Sequence, residues 1–346
     1  MAPGLVRVAL RRTLRDVRYV EAVRPRRARG LVRDVYRQLE RDFGMLAPPV
    51  ALHSAAPEAL AAAWVLLRES LVAGGLTSRA EREVVASAVS AANACPYCVE
   101  VHGMALGALG EAGAAAAIGT GELAAITDPG TRALAAWSRG EGPLPPAVSR
   151  GAAAELAAVA VAFHYLNRVV SLFLGPSPLP DQVPAAAREP AKAVLGFFLK
   201  PGEPPVAGKS SALLPPAATD GPGWATPGGV LADAFARVAA AFEAAGERVL
   251  APRVRDLVRR ELKAWDGRPP GLGRAWATEA VAELPEAERA AGRFAVLVAK
   301  AAYQVDADVV AAVRREWSDD RALVEAASWV AFTAAAELGG RLPVRP

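Results

Sequence analysis

Apolar residues recur along most of the chain at the spacing of an amphipathic helix. In the segment 57–74 they stand at Leu60, Trp64, Leu67 and Leu71, which share one face of a helix with 3.6 residues per turn. The same pattern predicts further helices at about 31–47, 78–93, 96–109, 131–138, 151–174, 231–250, 252–266, 273–282, 286–302, 306–317 and 320–338. The pattern therefore predicts an all-α protein.

Capping residues mark where two of these helices begin. Thr77 or Ser78 can cap the helix that ends near residue 93, with the acidic residues Glu81 and Glu83 in its first turns. Pro96 suits the first turn of the next helix, because proline lacks an N–H group that would be unpaired there anyway. The sequence therefore places residue 95 at a helix N-terminus.

Residues 176–230 have a different composition from the segments on either side. Proline and glycine interrupt almost the whole stretch, apart from one apolar island at 194–199, so we expect a long linker laid over the surface. This division predicts a basic N-terminal helical extension (1–45), a first helical lobe that carries the chemistry (46–175) and a second helical lobe (231–340).

The second lobe resembles the first as a weak internal repeat. The tripeptide Val161-Ala-Phe163 matches Val330-Ala-Phe332, and at that offset the amphipathic run 82–93 falls on 251–262. The same offset carries Cys95 to Ala264, Cys98 to Gly267 and His102 to Gly271. We interpret the second lobe as a degenerate copy that has kept the fold and lost the chemistry.

Composition and charge support the helical prediction and narrow the function. Hydrophobic residues make up 53% of the chain but aromatic residues only 6%, and the alanine-rich remainder favours helices over strands. The net charge is +4, yet residues 1–50 carry twelve arginines against five acids, so the rest of the chain carries −3. These arginines alternate with apolar residues at helical spacing, which indicates a solvated helix face, and no nucleic-acid motif accompanies them.

The sequence predicts a cytoplasmic protein. Arginines interrupt any apolar core of a secretory signal, at Arg7, Arg11, Arg12 and Arg15. The most apolar stretch, 156–174, contains His164, Asn167 and Arg168, which argues against a membrane span. We therefore expect neither a membrane nor a nucleic acid among its partners.

Two cysteines, the only ones in the chain, stand three residues apart in Cys95-Pro-Tyr-Cys98. At a helix N-terminus, unpaired N–H groups and the helix dipole stabilise a thiolate, and Cys98 falls in that first turn. His102 follows one turn later, and a helix–helix return could bring the carboxylate of Glu83 to its imidazole. Thiolate, imidazole and carboxylate form a proton relay around an activated nucleophile. We therefore predict a thiol redox centre with catalytic residues Cys98, Cys95, His102 and Glu83, no metal and no bound cofactor.

Three other interpretations of the cysteine pair stay open at this point. A structural zinc site would need some of His53, His102 and His164 as further ligands. A structural disulfide would close a very short loop, and two buried inert cysteines are also common in cores. His164, Asn167 and Arg168 share a helical face, where they either line a pocket or complete the core. No glycine-rich phosphate loop appears, so a nucleotide cofactor is not expected.

The spacing of these residues resembles a known active-site signature. Glu83, eleven residues, Cys95-Pro-Tyr-Cys98, three residues and His102 are similar to the signature of the alkylhydroperoxidase D-like, or carboxymuconolactone decarboxylase-like, superfamily. The resemblance covers residues 30–175 well, including Phe163-His-Tyr-Leu-Asn-Arg168, and 231–340 only as a degenerate copy. It implies an all-α thiol peroxidase in which Cys98 attacks a hydroperoxide, Cys95 resolves the sulfenic acid to a disulfide, and Glu83 and His102 relay the proton.

The resemblance also implies partners and an assembly. The disulfide would be reduced by a thioredoxin-like protein, a lipoylated protein or a low-molecular-weight thiol, and the chain would form a homo-oligomer, either a dimer or a trimer. Tyr97 stands where the best-studied members have a histidine, so one element of the relay is missing. Two alternatives remain: a disulfide oxidoreductase that uses the same cysteines, and a non-enzymatic redox sensor or scaffold.

Overall fold

The computed structural model describes residues 13–179, 183–199 and 202–344, and every regular element within them is helical. The α-helices in chain order are α1 (Gly30–Asp42), α2 (Pro48–Ala51), α3 (Pro57–Leu67), α4 (Arg79–Ala92), α5 (Pro96–Ala108), α6 (Ala112–Thr120), α7 (Pro129–Ser138), α8 (Arg150–Phe173), α9 (Ala185–Leu199), α10 (Val230–Val249), α11 (Pro252–Ala264), α12 (Ala275–Ala280), α13 (Glu286–Ala301), α14 (Ala307–Arg314) and α15 (Asp320–Gly340). A π-helical turn, Arg68–Val72, continues α3. The all-α prediction is confirmed, while Arg7, Arg11 and Arg12 of the basic extension lie outside the described residues.

The structure departs from the predicted elements in three places. Helix α1 ends at Asp42 rather than near residue 47, because a new short helix begins at Pro48. Helix α6 was not predicted, since its alanine-rich sequence has no amphipathic period to reveal it. The expected linker contains helix α9, although Pro190 lies inside that helix and removes one backbone N–H donor.

Downstream of α9, hydrogen bonds also fix the expected linker to the first lobe. The carboxylate of Glu69, buried in the π-helical turn, accepts hydrogen bonds from the backbone N–H of Gly208 (2.6 Å) and from the backbone and hydroxyl of Ser210. Arg68 donates to the same carboxylate (2.6 Å) and to the carbonyl of Val206. This network holds the proline- and glycine-rich segment as an ordered strap over α3.

Helices α8 and α15 form the centre of the molecule. Both are long and apolar enough to cross a membrane, but 94% and 72% of their most apolar windows are buried inside the protein, as in the core helices of a globular fold. They pack closely on each other, since a side chain at Gly339 of α15 would collide with Val161 of α8. Their apolar character is therefore explained by the core that they share.

The order of helices repeats in the two halves of the chain. Helices α3–α8 of the first half have counterparts by order in α10–α15 of the second, and each series ends on a long central helix. Helix α5, which begins at the cysteine pair, has 13 residues, whereas its counterpart α12 has six and follows the loop 265–274. The duplication and the division into two lobes stay predictions.

Two buried histidines predict that the fold loses stability in mild acid. Burial lowers the pKa of His53 from 6.5 to about 4 and that of His164 to about 3. The unfolded chain therefore binds these protons below pH 6.5 while the folded chain does not, so folding stability falls as the pH falls. Each pH unit changes the free energy of unfolding by about 1.36 kcal/mol for each such group. Each histidine is therefore expected to lower the free energy of unfolding by about 2 kcal/mol between about pH 6.5 and about pH 5.

The measurement is urea unfolding of the wild type and His53→Gln at pH 7.5 and about 5. His53 bonds to the carbonyl of Val50 (3.0 Å) and to the hydroxyl of Tyr165 (2.7 Å), and glutamine can replace part of this pairing without titrating. We expect the variant to lose roughly half as much stability as the wild type over this interval. Equal losses in the two proteins would contradict the assignment to His53.

Candidate active site

Local sequence brings α4 and α5 together as a helical hairpin. Ser78 caps α4, and its side chain and that of Glu81 form a reciprocal capping box. Cys95 is the N-cap residue of α5, followed by Pro96 in the first turn. Between the two helices Ala94 has a φ of +52°, a left-handed conformation that reverses the chain within a very short turn.

This hairpin places the carboxylate of Glu83 against the imidazole of His102. The Nδ1 atom of His102 lies 2.7 Å from Oε2 of Glu83, and the Glu83 side chain is fully buried. A proton on Nδ1 that is donated to Glu83 leaves the Nε2 lone pair able to accept a second proton. The ring of Phe163 meets His102 edge-on, with centroids 4.4 Å apart, and further fixes its orientation.

Arg79 completes this pair from one turn earlier in α4. Its Nε donates to Oε1 of Glu83 at 2.7 Å, so that both carboxylate oxygens of Glu83 are bound. Burial alone would raise the pKa of Glu83, but the charge of Arg79, together with His102 and the hydrogen bonds of both, lowers it to about 2. The sequence analysis missed Arg79, although its i, i+4 spacing to Glu83 was a usable signal.

Arg79→Gln is expected to reduce activity by making Glu83 easier to protonate. Removing the positive charge raises the pKa of Glu83, so the acid limb of the kcat/KM profile should move to higher pH. We expect a loss of about tenfold near neutral pH, with partial recovery in Arg79→Lys, which restores the charge but not the geometry. A pH profile unchanged in shape would show that Arg79 serves stability alone.

An apolar pocket opens beside Cys98 and His102. Its walls come from the end of α1 and from α2, α3, α5, α8 and α9, and its lining residues are Phe43, Met45, Ala47, Pro48, Pro49, Leu67, Leu71, Tyr97, Cys98, Val101, His102, Phe163, Leu166, Val170, Pro178, Leu195 and Leu199. Cys98 and His102 therefore bring titratable groups to an otherwise largely apolar pocket.

Helix α9 forms one wall of this pocket through close contact with α5. A Cβ atom at Gly196 would lie 3.3 Å from the carbonyl oxygen of Met104, so the two helix backbones approach closely. Lys192 pairs with Glu100 of α5 at 3.2 Å. The pocket thus depends on a segment that the sequence pattern indicated only as a surface linker.

Hydrogen bonding favours ionisation of Cys95 over that of Cys98 in the reduced pair. Both cysteines are free thiols, 1% and 4% exposed. Burial opposes ionisation of Cys95, but hydrogen bonding from Cys98 and from the side chains of Ser171 and Asn167 lowers its pKa. Burial and the neighbouring Cys95 sulfur raise the pKa of Cys98. Asn167 also lowers the pKa of Cys98, but less than burial and Cys95 raise it, and the thiolate expected at Cys98 stays a prediction.

The remaining predicted polar residues lie behind the cysteine pair and do not line the apolar pocket. His164 contacts Asn93 at 3.0 Å, and Asn93 donates to Oδ1 of Asn167 at 2.8 Å. Within the described ranges no group of three or more His, Cys, Asp or Glu side chains could hold a metal ion, so the zinc interpretation gains no support. Asn167 and Arg168 line a separate polar cleft between the lobes.

Comparison with known proteins agrees with this geometry. Residues 58–138 match the profile of the carboxymuconolactone decarboxylase family. The alkyl hydroperoxide reductase Rv2159c of Mycobacterium tuberculosis is 38% identical over 330 residues, which span 94% of this chain and 95% of that protein. No solved structure matches the chain significantly. The chain therefore belongs to the alkylhydroperoxidase D-like, or carboxymuconolactone decarboxylase, family, as its cysteine, histidine and glutamate spacing predicted.

Proposed function

We propose that this oxidoreductase is a thiol peroxidase that reduces alkyl hydroperoxides through Cys98 and Cys95. The observation that carries the proposal is that Cys98 and His102 share one apolar pocket while Glu83 holds the imidazole from behind. The relative named alkyl hydroperoxide reductase supports the same class of reaction. The apolar lining favours an organic hydroperoxide, whose alkyl group can be buried there, over hydrogen peroxide.

The first step is the attack of Cys98 on the terminal peroxide oxygen. The proton of the Cys98 thiol moves to the adjacent Cys95 thiolate, which leaves a Cys98 thiolate facing the pocket. This sulfur forms a bond to the terminal oxygen as the O–O bond breaks, and Cys98 becomes a sulfenic acid. The departing alkoxide takes up a proton through Nε2 of His102, which is resupplied from the Cys95 thiol, and leaves as the alcohol.

The second step closes the disulfide. The Cys95 thiolate attacks the sulfenic sulfur of Cys98, the S–S bond forms, and hydroxide leaves as water after taking a proton from solvent through His102. Two electrons have then passed from the dithiol to the peroxide. Two thiol groups of an external reductant restore the dithiol by exchange, with oxidation of the reductant to its own disulfide.

Burial of the cysteine pair limits which reductants and which substrates can reach the sulfur atoms. With 1% and 4% of Cys95 and Cys98 exposed, a bulky protein disulfide cannot reach either sulfur without rearrangement. This supports a peroxidase over an oxidoreductase acting on protein disulfides. It also favours a low-molecular-weight thiol over a thioredoxin-like or lipoylated protein as the reductant.

The test is consumption of cumene hydroperoxide by the purified chain in the presence of dithiothreitol, compared with hydrogen peroxide. We expect sustained turnover with a higher kcat/KM for the organic peroxide, and loss of turnover in Cys98→Ser. A single stoichiometric oxidation followed by a change of conformation or assembly would instead identify a redox sensor. Consumption no faster than that of the variant would contradict the peroxidase.

Assembly and compartment belong to the same proposal. We expect a cytoplasmic homo-oligomer, a dimer or a trimer, in which the second lobe occupies a place that a neighbouring subunit fills in single-lobe members. Light scattering coupled to size-exclusion chromatography measures the number of subunits directly.

A further inference from the structure

A polar cleft lies where the two lobes meet, and we call it the interlobe cleft. The first lobe contributes Asn93, Asn167, Arg168 and Ser171, and the second contributes residues of the segments 265–269 and 300–303, including Trp265 and Lys300. The cleft is small, and it shares no lining residue with the apolar pocket. Because the side chains of Asn167 and Ser171 also lie beside the Cys95 thiol, the cleft adjoins the redox pair from another side.

Arg168 brings a buried positive charge to this cleft without a negative partner. Only 5% of the residue is exposed. Its Nε donates to the carbonyl of Ala299 at 2.8 Å and its Nη1 to the carbonyl of His164 at 2.6 Å. Within the described ranges Nη2 makes no hydrogen bond and no carboxylate pairs with the guanidinium. Burial lowers the pKa of Arg168 to about 9, which reflects the cost of this uncompensated charge.

A paired lysine and an indole ring lie beside Arg168 in the cleft. Lys300 lines the cleft, with Nζ 2.6 Å from Glu261, and the indole of Trp265 lies 5.8 Å from the guanidinium carbon. The described lining residues include no acidic side chain. A buried guanidinium with two free N–H bonds on Nη2, in a small cleft without an acidic lining residue, is suited to an anion.

We propose that the interlobe cleft binds the carboxylate of a small organic anion, with Arg168 as its principal partner. A carboxylate fits better than a phosphate because one unpaired cation balances a single negative charge, and because the guanidinium plane matches a planar acceptor. The limited volume restricts the ligand to a few heavy atoms beyond the carboxylate.

The position of the cleft couples this ligand to the redox state of Cys95. A carboxylate beside Cys95 opposes a thiolate at that sulfur, whereas the neutral disulfide imposes no such repulsion. By reciprocity the anion should bind the oxidised protein more tightly than the reduced protein. This preference rests on the proposed disulfide. It is the preference that a reductant needs if it is a thiol that carries a carboxylate, because such a reductant must bind the oxidised protein in order to reduce Cys95–Cys98.

Binding is tested first with acetate as the probe and acetamide as its uncharged isostere. Tryptophan fluorescence of the wild type should change saturably with acetate and not with acetamide, and Trp265→Phe should remove most of the signal. Arg168→Gln is expected to weaken acetate binding about tenfold or more, because a charge-assisted hydrogen bond is lost. Arg168→Lys should retain part of the affinity, and Lys300→Gln should have a smaller effect.

Two results would overturn the site. One is the absence of saturable acetate binding by the wild type, and the other is equal responses to acetate and acetamide. Neither depends on whether Arg168→Gln folds. The acetate titration of the reduced protein also stands apart from peroxidase activity, so a protein that forms no disulfide would refute the proposed function without refuting the site.

The source of the carboxylate is tested with matched thiols on the oxidised protein. If it belongs to the reductant, mercaptoacetate should reduce the disulfide with saturation, acetate should compete, and 2-mercaptoethanol should show neither effect. In Arg168→Gln the ratio of the mercaptoacetate rate to the 2-mercaptoethanol rate should approach the ratio that the two thiols show with a small-molecule disulfide. If it belongs to a separate effector, acetate should bind more tightly to the oxidised protein while the two thiols react in their intrinsic ratio.

Discussion

Cys98→Ser is expected to abolish peroxide turnover, whereas Cys95→Ser should still consume one peroxide per chain. Cys98 lines the pocket in which the substrate would be held, and Cys95 does not. A serine hydroxyl at position 98 is not ionised near neutral pH and is a poor nucleophile towards peroxide, so kcat/KM should fall by about 10³-fold or more. Peroxide consumption and thiol titration after a single addition of cumene hydroperoxide measure both outcomes.

The Cys95→Ser variant separates attack from resolution. Without a resolving thiol the sulfenic acid at Cys98 should persist, and dimedone should trap it as an adduct at that residue by mass spectrometry. Removing the Cys95 sulfur also removes a negative charge that raises the pKa of Cys98. Alkylation by iodoacetamide should therefore show a lower pKa for Cys98 in this variant than in the pair. If Cys95 were the attacking sulfur, the behaviour of the two variants would be exchanged.

This experiment matters because the lower thiol pKa belongs to one cysteine and access from the pocket to the other. The groups that favour a thiolate surround Cys95, while the pocket that admits a substrate reaches Cys98. In the proposed mechanism, transfer of the Cys98 proton to Cys95 ionises the sulfur that faces the pocket. Once Cys95 has passed this proton on through His102, its lowered pKa favours the thiolate that attacks the sulfenic acid.

The contacts that sequence could predict are those within the α4–α5 hairpin. The Glu83–His102 pair follows from helical spacing on two consecutive helices joined by a short turn, so no distant part of the chain is needed to form it. The all-α fold was likewise predictable from local apolar periodicity. The assignment of chemical roles within the hairpin stays a prediction.

Features that join distant segments could not be predicted in the same way. Helix α9 completes the pocket through Leu195 and Leu199, but Pro190 indicated a break where the alanine-rich flanks nevertheless form a helix. The interlobe cleft depends on Arg168 meeting the end of α13, 131 residues away in the sequence. The lowered pKa of Cys95 depends in part on Ser171 and Asn167 of α8, which no spacing rule connects to Cys95.

Glu83→Gln is expected to reduce kcat/KM by about 10²- to 10⁴-fold while the protein still folds, because it removes the group that sets the protonation of His102. In the proposed mechanism the carboxylate accepts the proton of Nδ1, and Nε2 carries the proton to and from the reacting groups. A glutamine amide can donate to Nδ1 instead, which moves the imidazole proton to Nε2 and leaves no lone pair there. The variant also loses the negative charge that balances Arg79 and a protonated His102.

The matched control for this prediction is Glu81→Gln on the same helix. Glu81 closes the capping box with Ser78, a role that glutamine can also fill, so the control should keep both stability and activity. Peroxidase kinetics, urea unfolding and the ¹⁵N shifts of the His102 ring would be compared across the three proteins. A Glu83→Gln variant with the imidazole proton still on Nδ1, or with activity within about threefold of the control, would remove Glu83 from the proton relay. Its burial between Arg79 and His102 would then be explained by stability alone.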